Sequence, residues 1–156
     1  MNYKIVFPEG KRKAITFSYD DGQIHDRRLA ALFDQYGLKA TFHLNSGTLD
    51  TPGFMTSKEL NTVYANHEIA CHGVQHLWPR HLSKEQMVNE IWEDRKALEA
   101  KTGRIVNGMS YAYGEYSEAF IATAKALGIV YSRTVNAIHG FNCPADFMEW
   151  HPSVHH

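Results

Sequence analysis

Short apolar runs alternate along this chain with longer amphipathic ones. The run "AITFSY" (14–19) predicts a strand, and "DDG" behind it a turn. A helix is expected over 26–36, with Asp26 as N-cap and Gly37 just past its end. "KATFHLN" (39–45) predicts a second strand. A short helix is expected within 56–66, where Leu60, Val63 and Tyr64 share one face. "HEIACHG" (67–73) reads as a third strand. The longest helix is expected from Ser83, where "SKEQ" has capping-box form, to Gly103, with Met87, Ile91, Trp92 and Leu98 turned inward. A fourth strand and turn fall over 105–114, a helix from Ser117 to Gly128, and a fifth strand over 129–135. "FMEWHPSV" (147–154) could hold a sixth. Repeated β-α alternation with short connections predicts a mostly parallel sheet, whose chemistry gathers at the carboxyl ends of the strands.

The 156 residues suit one domain, and 44% hydrophobic against 21% charged residues is ordinary globular usage. The net charge of -1 and the short "KRK" at 11–13 leave no electrostatic footprint for a nucleic acid. No segment has the ~20 apolar residues of a membrane span, and the N-terminus lacks a signal-peptide stretch, so a cytoplasmic location is expected. Cys71 and Cys143 read as free thiols in a reducing compartment, with a single bridge between them left open. Ten histidines are many for this length.

Two predicted strand ends gather chemistry. The first ends at Asp20 and Asp21, and the third at "HGVQH", with His72 and His76. Each has a plain reading alone, since Asp-Gly is a common turn dipeptide and two histidines can simply occupy a loop. Together, Asp21, His72 and His76 make a two-histidine, one-carboxylate set that leaves a position open for water. Asp20, not needed as a ligand, is then free to serve as general base. "HEIACH" is one residue too long for the zinc-protease HExxH spacing.

These stretches resemble the polysaccharide deacetylases, carbohydrate esterase family four. "TFSYDDG" is similar to that family's first motif, "TFDDG", and "HGVQH" to its His-[Ser/Thr]-x-x-His motif, with Gly73 in place of the hydroxyl residue that usually stabilises the loop. "SYAYGEY" resembles its Arg-x-Pro-Tyr motif, with Ser110 and Ala112 in place of Arg and Pro. The resemblance implies that the Tyr113 N–H holds the oxyanion, and that Tyr111 and Gly114 lie against substrate. Arg133 could replace the missing arginine by pairing with Asp20, or it could lie exposed at its strand end. Asp146-Phe-Met-Glu149-Trp150 matches the Asp-x-x-Asp-Trp motif loosely. Trp150 is then either a wall of the sugar pocket or a partly buried core residue. The Leu-x-His motif, which supplies the catalytic acid, is not visible; His151 and His155 are candidates without family support.

The resemblance implies a distorted (β/α) barrel, here incomplete, spanning 1–156 and short of its C-terminal strands. It implies a divalent metal, with Zn²⁺ first and Co²⁺, Mn²⁺, Ni²⁺ or Fe²⁺ also suited to the ligands, and a carbohydrate substrate that loses N-acetyl groups. A metal-retaining but inactive carbohydrate-binding domain, or a hydrolase of a small cyclic amide, are the alternatives. Absent strands would expose an edge, so the chain is expected to be a fragment or a homo-oligomer covering that side.

Overall fold

A computed structural model describes residues 7–155; residues 1–6 and 156 of the expected domain lie outside them. The strands β1 (Phe17–Asp21), β2 (Ala40–Leu44), β3 (Glu68–Cys71), β4 (Gly108–Ser110) and β5 (Tyr131–Arg133) alternate with the helices α1 (Asp26–Gln35), α2 (Leu60–Val63), α3 (Lys84–Thr102) and α4 (Glu118–Ala126). The five strands lie in the order β1-β2-β3-β4-β5, with every pair parallel. They form a curled half-barrel, the expected incomplete (β/α) barrel.

Strand alternation sorts the side chains. Phe42, Leu44, Ile69 and Met109 face the helices and build the core with Ala30, Phe33, Ile91, Leu98 and Phe120. The concave face carries polar residues in register: Asp20 pairs with His43, and Ser110 with Arg133. The expected sixth strand is reduced to one parallel bridge, Arg133 with Trp150. Among the described residues no helix is long and apolar enough to cross a membrane. Both cysteines are free thiols.

Several elements differ from the expectation. β1 starts later than "AITFSY", because its register with β2 runs through both aspartates, from Phe17–Ala40 to Asp21–Leu44. Asp26 is not an N-cap; that position is His25, and the buried Asp26 carboxylate accepts from Tyr64 Oη at 2.7 Å. Gly37 does turn the chain out of α1, at φ 64°. Ser83 and Gln86 form the expected capping box on α3. Trp92 points outward, beneath the Lys96 ammonium. The buried stripe of α3 runs instead through Met87, Glu90, Ile91, Asp94 and Leu98, so two carboxylates sit on its inner face.

Candidate active site

Asp21 ends β1, while His72 and His76 follow β3. The Nε2 atoms of His72 and His76 lie 3.5 and 3.7 Å from Asp21 Oδ1. One donor atom from each of the three residues falls within 4.8 Å of the others. Ligand atoms at about 2.1 Å from a tetrahedral ion stand about 3.4 Å apart, so this donor set fits a divalent metal. His72 is turned by its other nitrogen, since Nδ1 lies 3.0 Å from the Ser110 carbonyl and 2.7 Å from Ser110 Oγ. That contact leaves Nε2 for the ligand side. Burial pushes the His72 imidazole below its ordinary range against the pull of the Asp20 carboxylate, which favours the neutral ring a metal needs.

The histidine loop is held from below. Asp94, fully buried on α3, accepts from Ser46 N at 2.7 Å and from His72 N and Gly73 N at 3.0 Å each. Burial pushes its carboxyl up to about 6 despite those three donors. Asn45 Nδ2 donates to the His72 and Gly73 carbonyls, both at 2.8 Å. Glu90 Oε2 accepts from Gln75 N at 3.1 Å. A Cβ on Gly73 would lie 2.7 Å from that same oxygen, and Gly73 has φ 85°. The buried carboxylate therefore occupies the space beside the loop, and its bond to Gln75 N steadies the turn without a hydroxyl on residue 73. The sequence reading missed Glu90, Asp94 and Asn45. Acidic residues at 90 and 94, in phase with the apolar positions 87, 91 and 98, were the available signal.

Asp20 is the centre of a second cluster. Its Oδ1 accepts from Ser110 Oγ at 3.0 Å and from the Arg133 guanidinium, and lies 3.3 Å from His43 Nδ1. Arg133 is thus paired with Asp20, and its Nε also donates to Ser18 Oγ at 2.8 Å. Burial alone would raise the Asp20 carboxyl. The His43 hydrogen bond, the electrostatic pull of the His72 and His43 rings and the Arg133 guanidinium outweigh it and hold the group well below the usual carboxylate range. His43 was not anticipated; it is 1% exposed, and its buried Nε2 has no hydrogen-bond partner among the described residues.

Three residues here hold left-handed backbone despite carrying a Cβ: Asp21 at φ 77°, and His76 and Tyr113 at φ 57° each. Such conformations persist only where the surroundings impose them, and they cluster at functional sites. Tyr113 lies beside His76, with ring centroids 4.4 Å apart. Tyr111 corrects the expectation of a substrate contact. It is 1% exposed, its hydroxyl donates to the Met148 carbonyl at 2.7 Å, and its ring stacks on Tyr116, so it packs the core. Gly114, at φ 70°, packs against the Val135 side chain, which leaves no room for a Cβ. Trp150 is half-exposed, set edge-on to Tyr131 and Phe147. With His151, Glu149, Asp146 and Cys143 it lines a cleft of about 230 Å³. His151 Nδ1 lies 2.6 Å from Thr134 Oγ1, while Asp146 caps Met148 N and pairs with Lys125 at the surface. His155 is exposed.

A curled parallel half-barrel brings two histidines and a carboxylate together at the carboxyl ends of its strands, a donor set that could hold a divalent ion with a position left open. The family model for polysaccharide deacetylase matches residues 8–132, and the chain belongs to that family. A comparison with curated proteins finds no match. Among solved structures, the chain is similar to the Streptococcus pyogenes deacetylase PplD in complex with acetate, at 17% identity and TM-score 0.82, covering 93% of this chain and 65% of that one. It is similar to IcaB from Ammonifex degensii at 15% identity and TM-score 0.82, over 94% of this chain and 69% of the other. A polysaccharide deacetylase from Bacillus cereus aligns at 16% identity and TM-score 0.77, over 87% of this chain and 45% of its own.

Proposed function

We propose that this chain is a metal-dependent hydrolase that removes N-acetyl groups from an amino sugar or its polymer. The observation that carries the reading is the meeting of Asp21, His72 and His76 beside an Asp20 already paired with Arg133. Asp21 and the two Nε2 atoms would hold the divalent ion, with Zn²⁺ the first choice for two imidazoles and a carboxylate. Such an ion, when bound, polarises the amide carbonyl and acidifies water. Asp20 takes the proton of the attacking water, oriented for it by Arg133 and Ser110. The Tyr113 N–H donates to the carbonyl oxygen as it gains charge. Trp150 forms a wall of the sugar cleft, and His151, beside Thr134, is the candidate to protonate the departing amine.

Arg133 supplies from β5 the cationic contact to Asp20 that the Ser110 hydroxyl, a neutral donor, cannot give, which favours this reading over an inactive carbohydrate-binding domain. The test is metal content and acetate release from acetylated glucosamine oligomers. The parent protein should carry one divalent ion per chain and release acetate. His72→Ala and His76→Ala should lose both. Full metal occupancy in both variants would show that the ligands lie elsewhere.

A further inference from the structure

Trp78 lies two residues past His76, outside both the Asp21, His72 and His76 group and the Asp20 cluster. Its indole lies flat on the Tyr113 ring, with centroids 3.9 Å apart and 6° between the planes. Both rings are 47% exposed, and neither belongs to the hydrophobic core, so the stack does not serve core packing. The Tyr113 ring also meets the His76 imidazole at 4.4 Å and 63°. Two residues beyond Trp78, Arg80 forms an ion pair with Glu115, two residues beyond Tyr113. The loop after β3 and the loop after β4 are therefore clasped at two points.

Each clasped loop carries a strained residue, His76 and Tyr113, both at φ 57°. The hydrogen bonds of the turn at Tyr113 run from Gly114 N to Tyr111 O and from Glu115 N to Ala112 O. The Tyr113 N–H lies outside them, and its direction depends on the left-handed conformation of the residue. A left-handed tyrosine in a half-exposed turn needs a side-chain anchor, and the flat indole is the closest ring contact it has.

We infer that Trp78 is a positioning residue, whose stack on Tyr113 holds the turn that aims the Tyr113 N–H at the reacting carbonyl. The inference rests on the deacetylase reading above. It is tested with metal-loaded Trp78→Ala and Trp78→Phe, and with Trp92→Ala as a control, since that indole lies outward on α3. Trp78→Ala should lower kcat about 10- to 100-fold with KM changed less than about threefold, equally on a short and a long acetylated glucosamine oligomer. Its metal content should be unchanged, Trp78→Phe should recover most of the loss, and Trp92→Ala should match the parent. Independently of turnover, the Tyr113 amide resonance in ¹⁵N-labelled protein should shift and broaden in Trp78→Ala and return in Trp78→Phe. A loss confined to KM that grows with oligomer length would make Trp78 a sugar platform and overturn the inference. An unchanged kcat or an unchanged Tyr113 amide would overturn it too. If the loaded parent protein releases no acetate, the deacetylase reading fails, and the amide resonance alone decides whether Trp78 holds the turn.

Discussion

The Arg133 guanidinium grips the Asp20 carboxylate although the two residues stand on β5 and β1, the last and first strands of the sheet. Only a curled sheet brings those edges within reach of one side chain. Arg133 also donates to Ser18 Oγ at 2.8 Å, so it is tied to β1 at two points across the concave face. The proposed base is thereby fixed by the closure of the half-barrel itself.

Breaking that tie should therefore affect both stability and turnover. Arg133→Ala leaves a half-buried carboxylate without its cation, which should cost about 1–3 kcal/mol in urea unfolding. Acetate release should fall at least about tenfold, as expected for a base that has lost its orientation. Arg133→Lys should restore part of the stability but less of the activity, because an ammonium cannot hold Ser18 and Asp20 together. A variant with parent-like turnover would show that Ser110 and His43 alone orient Asp20.

Gly73 offers a test in which repairing the family motif should do harm. Gly73→Ser restores the hydroxyl of the His-[Ser/Thr]-x-x-His pattern. Its Cβ, however, would stand 2.7 Å from Glu90 Oε2 on backbone at φ 85°. The variant should lose about 1–3 kcal/mol and bind metal more weakly. Gly73→Ser combined with Glu90→Ala should lose less than the sum of the two single changes, since the clash is shared. A more stable Gly73→Ser protein with tighter metal binding would refute this role for Glu90.

Much of this arrangement was legible because its signals are local. Asp20 and Asp21 are adjacent, His72 and His76 lie in one five-residue stretch, and all four fall at ends of predicted strands. Arg133 was legible as a charge inside an apolar strand that needed a partner. The support beneath the loop was not. Glu90 and Asp94 share the phase of the apolar positions of α3, but polarity alone does not say which way a helix is turned, and Trp92, expected inward, lies outward. Only the burial of His72 and Gly73 against α3, through Asp94, fixes that rotation. Tyr111 and Tyr113 lie in one motif two residues apart, yet the left-handed turn at Tyr113 leaves one in the core and the other half-exposed.

Asp26 supplies a pH dependence away from the ligands. Burial, aided by the charges of Asp21 and Asp20, raises its carboxyl to about 6 against the hydrogen bond from Tyr64. The folded value lies above the unfolded one, near 3.9, so the group's contribution is full below about pH 4 and is lost as pH rises through 6. In metal-free protein Asp26→Asn should match the parent at pH 4 and be more stable at pH 7, by on the order of 2 kcal/mol. Urea midpoints at the two pH values check this. A variant less stable than the parent at pH 7 would mean that the ionised carboxylate is the form Tyr64 requires.

Asp20 is proposed as the base beside a metal held by Asp21, His72 and His76, and one substitution separates the two roles. Asp20→Asn nearly preserves the shape of the side chain, and its amide oxygen can still accept from Arg133. Acetate release from acetylated glucosamine oligomers should be measured on parent and variant, each with its metal content determined on the same sample. Both proteins should carry one divalent ion per chain, with turnover in the variant lower by ~10²–10⁴. Undiminished acetate release by Asp20→Asn at full metal occupancy would rule Asp20 out as the base.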